Sequence, residues 1–333
     1  MPARADLLEH IAQLVGDDVL RITERGSGWP GHGRMRIGET WISVSLYVAP
    51  VGLSHRGRDD VERRFQNPGG GRPITKEPRR YPLLVGLWEE DSLMSVGRPI
   101  LVSADPMHRV GRTTRFSVFV SVNTLNVALR TGWAEDPNAI GERIRCFAPP
   151  LLAVSCGADR AGVAPATDAV RAVVDGSGLL TAPEPELQAA AERARRAAST
   201  LVRDARFRRR VAEAYGGLCA MCGLDSDLVE GAHIYPVAAP GSTDEPSNGL
   251  ALCPNHHAAF DRHVLAVRPG TSEIVFHESL RLRAATNSAL RLMVENTFQR
   301  LSSPRRASAR PQEAIFAKRY AFFDPKYAWM EDQ

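Results

Sequence analysis

The chain has 333 residues, 44% of them hydrophobic and 24% charged, with a formal net charge of +4. The length exceeds one typical core and predicts two domains, while the charge permits nucleic-acid binding without amounting to a strong basic footprint. No stretch approaches a membrane span, no internal repeat is evident, and five cysteines without an apolar leader point to a reducing, cytoplasmic setting in which Cys146 and Cys156 are plain thiols.

In chain order, residues 1–18 carry a short amphipathic helix pattern. Short β-branched or aromatic runs follow at 39–49, 81–90, 98–105, 114–122 and 142–154, separated by Gly, Pro and Asp turns, with a helix expected over 122–132. These elements predict a β-rich domain over 1–155, a compact barrel or a strongly bent sheet, with Trp41, Trp88 and Phe116 in its core. The segment between the first two strands is dense in Arg, Gly, Pro and Asn, and loops of that length seldom exist without a task. A brief helix is expected near its Arg58–Pro68 stretch. Arg56, Arg58, Arg63, Arg64 and Arg72 are candidates for phosphate contact there, and Gln66 and Asn67 for approach to bases. A second candidate turn, 105–116, carries His108, Arg109, Arg112 and Arg115. The competing reading of both segments is an ordinary solvent-facing loop.

Composition shifts near Ser155 to Ala, Gly, Pro and Asp, which predicts a linker and helix over 156–200. The Ala/Arg-rich helix that begins near Glu186 carries Arg206, Arg208, Arg209 and Arg210 and ends at Gly216-Gly217, a basic helix suited to lying along phosphates. The last domain is expected over 201–333.

The chemistry concentrates between Cys219 and Asp261. Cys219-x-x-Cys222 and Cys253-x-x-His256 lie about thirty residues apart and offer four soft ligands, the set a tetrahedral structural zinc requires. Inside this frame stand residues that a purely structural site would not need. His233 follows an apolar lead-in on an expected strand, Asn248 precedes a second strand, and His257 and Asp261 stand four apart on an expected helix. That spacing puts His257 and Asp261 on one helix face, where they can clamp a divalent cation against a phosphate. A neutral imidazole at His233 can take a proton from an attacking water, and Asn248 can hold the ribbon and orient the imidazole.

The run YGGLCAMCG, EGAHIYP and NGLALCPNHHAAFDRHVL resembles the HNH (ββα-metal) endonuclease domains, of the zinc-stapled kind found in McrA-like modification-dependent restriction enzymes. The resemblance spans roughly sixty of the 333 residues. It implies an α+β protein: a β-rich N-terminal domain, barrel or bent sheet of PUA/SRA-like kind, plus a ββα-metal domain. It further implies His233 as general base, Asn248 and His257 as the remaining letters of the motif, and Cys219, Cys222, Cys253 and His256 as ligands of structural Zn²⁺. His257 and Asp261 would hold a catalytic Mg²⁺ or Mn²⁺. Ala232 departs from the pattern, since many members have His or Asp immediately before the base, and one expected ligand is thereby lost. His263 falls off the helix face and is expected at the surface.

The remaining tail predicts a short hairpin, a polar loop and a last helix from Pro311 to Tyr320, with Tyr320, Phe322, Phe323, Tyr327 and Trp329 as a docking surface. The reading that follows is a DNA endonuclease of restriction type acting on double-stranded DNA, modified by 5-methylcytosine or another mark such as phosphorothioate, possible as a homodimer, and leaving 3′-hydroxyl and 5′-phosphate ends by family resemblance. Its rivals are a non-catalytic zinc-stapled DNA-binding module, an ordinary sequence-specific HNH restriction enzyme, and an enzyme acting on RNA.

Overall fold

The computed structural model describes residues 3–69, 72–89, 98–137, 141–161, 166–225 and 228–330. The chain divides into two units, Met1–Arg203 and Asp204–Gln333.

The first unit contains α1 (Arg4–Val15), β1 (Leu20–Glu24), β2 (Gly31–Ile37), β3 (Thr40–Pro50), β4 (Gly52–Leu53), β5 (Glu62–Gln66), β6 (Tyr81–Trp88), β7 (Ile100–Ala104), β8 (Ser117–Ser121), α2 (Val122–Thr131), β9 (Trp133–Pro137), β10 (Arg143–Phe147), α3 (Leu152–Ala161) and α4 (Thr167–Ser177). A long helix, α5 (Leu187–Ala214), begins in this unit and ends in the next. Seven strands form an open sheet in the order β1-β2-β3-β6-β7-β10-β9, in which only β3 and β6 run parallel. A second sheet has the order β4-β5-β8.

Alternation along the central strands explains their near-continuous apolar runs, because both faces of the sheet are covered. Val44, Leu46 and Val48 of β3 and Leu83, Val85 and Leu87 of β6 pack with α1, α3 and α4 in one cluster. Tyr47, Ala49 and Leu84 face the other way and join Phe65, Val118, Val120 and Leu125 from the smaller sheet and α2. Trp88 and Phe116 lie in that second core, whereas Trp41 is half-buried with the Arg21 guanidinium 4.6 Å from its ring centroid.

Several expectations change here. The stretch expected as a brief helix near Val61 is strand β5, paired with β8, because alternate residues such as Phe65 reach the core. The run expected as one strand over 142–154 stops at Phe147; Pro149 and Pro150 cannot donate to a ladder, and α3 begins at Leu152. The described part of the expected linker is helical, with Val170 and Val174 of α4 and Ala198 of α5 buried in the first core. Residue 90 of the predicted second strand and residues 162–165 of the linker lie outside the described residues. Strands β1 and β2 were not predicted, although β2 alternates buried and more exposed residues; its inward positions Gly31 and Gly33 lack the apolar side chains that mark a strand.

The second unit adds β11 (Glu230–His233), β12 (Gly249–Leu252), α6 (Pro254–Asp261), β13 (Leu265–Val267), β14 (Ile274–Phe276), α7 (Glu278–Thr286), α8 (Ser288–Glu295) and α9 (Glu313–Phe322). Its core gathers Phe207 and Val211 of α5, Ile234, Leu250 and Leu252 of the β11-β12 ribbon, Phe260 of α6 and Phe316 of α9. Helices α7 and α8, which the sequence reading did not assign, lie between the hairpin and the expected polar loop. Among the described residues no helix is long and apolar enough to cross a membrane.

Candidate active site

The site is a two-stranded ribbon followed by a helix. β11 pairs antiparallel with β12, His233 opposite Gly249 and Glu230 opposite Leu252. The ribbon lies hard against α5 because two of its residues lack side chains. A Cβ on Gly231 would meet the Arg208 backbone at 2.8 Å, and one on Gly249 would meet Val211 Cγ2 at 2.4 Å. That close approach lets Phe207 of α5 stack on the His233 ring, with centroids 3.6 Å apart and planes 11° apart.

Two knuckles bracket the ribbon. Gly223, in the left-handed region at φ +71°, donates to Cys219 O at 2.8 Å and closes the first turn, while Ala220 N donates to Ala251 O at 2.8 Å and ties that turn to β12. The second knuckle opens α6 through Cys253 and His256. The ligand atoms of Cys219, Cys222, Cys253 and His256 all lie within 4.8 Å of one another. His256 Nδ1 is 3.1 Å from Cys253 Sγ and 3.7 Å from Cys219 Sγ, and the Cys222 and Cys253 sulfurs are 4.0 Å apart. A tetrahedron with Zn–S near 2.3 Å and Zn–N near 2.0 Å has edges of about 3.5–3.8 Å for three sulfurs and one nitrogen, so these residues fit a structural zinc. Thr297 Oγ1 lies 2.9 Å from His256 Nε2, the outer bond that fixes which ring nitrogen turns inward.

The His233 imidazole meets Asp244 through Nε2, 3.1 Å from Oδ1. With Asp244 accepting from Nε2–H, Nδ1 keeps its lone pair and can accept a proton. Burial lowers the affinity of this imidazole for a proton below the ordinary histidine value, against the opposing pull of Asp244. Asn248 precedes β12, as the sequence reading has it, and its side chain binds the loop backbone. Its Oδ1 accepts from Tyr235 N at 2.8 Å, and its Nδ2 donates to Tyr235 O at 3.0 Å and Thr243 O at 2.8 Å. Asn248 therefore closes the loop that presents Asp244, and the carboxylate rather than the amide touches the imidazole.

On α6, His257 and Asp261 share a face as their spacing predicts, Nε2 to Oδ2 3.3 Å. The opposite ring nitrogen, Nδ1, is 2.9 Å from Glu230 Oε1, and Glu230 Oε2 accepts from Arg208 at 3.1 Å. The bond from His257 holds the Glu230 carboxyl below its usual range, and the same bond raises the His257 imidazole. Glu230 stands two residues before Ala232, hence on the same face of β11. A carboxylate is thus supplied on the face where Ala232 has none.

The remaining candidates divide by unit. Arg209 pairs with Glu213 at 3.3 Å and Arg210 with Glu245 at 3.0 Å on the second unit. In the first unit, Arg56, Arg58, Arg109 and Arg112 line one cavity of about 660 Å³ with Phe119 and Asp136, so the two loops singled out in the sequence converge. Arg109 is buried and held bidentate by Glu142, and Asn67 is buried with Oδ1 accepting from Phe116 N at 2.9 Å; both serve the fold instead of a DNA surface. Arg115 donates to Gln66 Oε1 at 2.8 Å, and Gln66 Nε2 donates to Ser117 at 2.7 Å. Arg63 and Arg64 lie half-buried on β5, Arg72 is exposed, and His108 sits 3.8 Å from Glu142.

Sequence reading missed Glu230, Asp244, Phe207 and Thr297. For Glu230 the alternation with Ala232 was an available signal; the others come from distant segments and carry no local signature. His263, expected as a surface residue, is half-buried, its Nδ1 2.9 Å from Tyr327 OH. The aromatic tail, expected to pack on the nuclease unit as a docking surface, does pack there, with Tyr327 buried and Tyr320 OH donating to Val267 O at 2.5 Å, while Phe322 is exposed.

Residues 219–268 match the family model described as HNH endonuclease, and residues 42–154 match one described as methylase-associated X1. No curated protein matches the chain. Among solved structures, the "Modification dependent TagI restriction endonuclease" matches over 87% of this chain and 86% of that one, at 14% sequence identity and a TM-score of 0.34.

Proposed function

Since the chain carries an HNH endonuclease domain at residues 219–268, we propose that it is a DNA endonuclease of restriction type whose first unit selects modified double-stranded DNA and whose second unit hydrolyses the phosphodiester. The observation that carries this reading is the pairing of a neutral-leaning imidazole, His233 on Asp244, with the His257–Asp261 face braced by Glu230.

His233 Nδ1 accepts a proton from water as the water oxygen bonds to phosphorus. The P–O3′ bond breaks, and protonation of the departing oxygen gives a 3′-hydroxyl and a 5′-phosphate. Asp244 holds the imidazole in the tautomer that leaves Nδ1 basic, and Asn248 keeps Asp244 in place through the loop backbone. Glu230 accepts from His257 Nδ1–H, which leaves Nε2 and Asp261 as the residues that would hold a divalent cation. A bound Mg²⁺ or Mn²⁺ neutralises charge developing on the leaving oxygen. Cys219, Cys222, Cys253 and His256 hold zinc, which fixes the ribbon to α6. Arg208 and Arg209 lie along phosphates from α5.

An active centre of this kind reads phosphate geometry alone, so selection of the target has to come from other residues. The match of residues 42–154 to a methylase-associated family and the arginine-lined cavity of the first unit support selection of a modified duplex. The test is cleavage, with Mn²⁺ or Mg²⁺, of matched plasmids that are unmodified, 5-methylcytosine-containing, hydroxymethylated, adenine-methylated or phosphorothioated. Selective cutting of one modified plasmid is expected. Equal cutting of unmodified DNA at fixed sites would make the protein an ordinary restriction enzyme, and binding without cutting would favour the non-catalytic module that Ala232 raises.

A further inference from the structure

We propose that Arg319, on α9 and well outside the matched HNH segment, is a positioning residue for phosphodiester cleavage: it fixes the strand end that carries His233 against the helix end that carries Asp261. Nη1 donates to Ile234 O at 2.9 Å, with His233 O at 3.5 Å, and Nη2 donates to Phe260 O at 2.8 Å. Ile234 is the residue after the base, and Phe260 is the residue before Asp261. Nε donates to Tyr327 OH at 2.7 Å, and the guanidinium carbon lies 3.8 Å from the centroid of the Phe260 ring.

The geometry of the guanidinium turns these contacts into a spacer. Its N–H groups form a rigid planar fork, so the separation of the two backbone carbonyls is set by the covalent frame of one side chain. The Phe260 carbonyl belongs to the C-terminal turn of α6, where it also accepts from His263 N at 3.2 Å and where a cation is favoured. Arg319 is 2% exposed. A buried cation is costly, and an apolar side chain of similar volume would pack as well, so its presence indicates a demand for defined geometry. A lysine carries the same charge as a single point and cannot bridge both carbonyls in fixed register. The arm that delivers Arg319 is itself anchored, since Tyr320 OH and Trp329 Nε1 donate to Val267 O and His263 O.

The proposal rests on the reading of His233 as base and Asp261 as cation ligand. Single-turnover cleavage of plasmid DNA by the full chain is compared for the wild type, Arg319→Lys and Arg319→Ala, with DNA affinity, zinc per chain and the Mn²⁺ concentration giving half-maximal rate measured on each. The variants are expected to keep zinc and DNA affinity, to lose about 100-fold in rate, as a displacement of about 1 Å does in such sites, and to need more Mn²⁺. Added guanidinium should restore part of the rate to Arg319→Ala and none to Arg319→Lys, whose side chain fills the site. An Arg319→Lys protein that cleaves at the wild-type rate with unchanged Mn²⁺ demand would overturn the proposal. So would a rate loss that follows zinc loss or lowered melting and is not rescued by guanidinium, which would make Arg319 a stability residue only. A wild-type protein that cuts no DNA would remove the functional reading itself, and the proposal with it.

Discussion

His233 is poised by opposing influences. Its burial disfavours the imidazolium, Asp244 and Asp204 favour it, and Arg208 disfavours it again; the balance lies below the ordinary value of 6.5. A base must be neutral to act, so cleavage should fall on the acid side with a midpoint below the ordinary histidine value and level off at higher pH. Asp244→Asn removes a carboxylate that raises the imidazole, so the midpoint should move further down in pH, while the rate on the plateau drops about tenfold to hundredfold through lost orientation. A pH–rate profile of the two proteins checks both signs. A midpoint that rises in Asp244→Asn would contradict the role given to Asp244.

Ala232 shows why the residue scale was only partly legible. His233, His257, Asp261 and the four sulfur and imidazole ligands were readable because each chemistry depends on short spacing: two residues within a knuckle, four along a helix. Asn248 was located correctly as a residue but not in its contacts, because an amide can serve any nearby backbone group and the loop 235–243 decides which.

At the scale of elements, the ribbon and α6 are held by packing from α5 on one side and by the knuckles on the other. Gly231→Ala would drive a methyl into the Arg208 backbone, an overpacking that costs about 1–3 kcal/mol and should lower the melting temperature of the second unit by several degrees. Unchanged melting would mean that α5 yields to the ribbon at no cost. Cys253→Ser removes one ligand from the knuckle pair. The variant should lose its zinc and the cooperative melting of the second unit while the first unit melts as before, since structural zinc sites contribute folding energy directly. Zinc analysis alongside calorimetry measures this, and a zinc-free protein with native melting would exclude the structural site.

The elements with strong periodicity or caps were legible: α1, α2 ending at the left-handed Gly132, α5, the central strands β3, β6 and β7, and the ribbon itself. Those that failed differ in cause. β5 is written with Glu and Arg around a single core residue, Phe65, and α7 carries almost no helical period, whereas the Leu290, Met293 and Val294 stripe of α8 was a signal left unread.

For the whole molecule, the first unit is where target choice is assigned, and its Arg56, Arg58 and Arg112 come from two loops that the fold brings to one cavity. Replacing the three by Ala should weaken DNA binding and flatten its salt dependence by about 0.9 in logarithmic slope for each phosphate no longer neutralised, while zinc content stays the same. Binding titrations at several salt concentrations measure the slope, and a slope equal to the wild type would move recognition away from this cavity.

The proposed function makes cleavage turn on a proton transfer to His233, and the most direct test is cleavage of supercoiled plasmid by the wild type and His233→Ala with Mn²⁺, with DNA binding and zinc measured on the same samples. The wild type should give nicked or linear product and His233→Ala a rate at least about 100-fold lower, with binding and zinc unchanged. Equal cleavage by the two proteins would contradict the role of His233 as base.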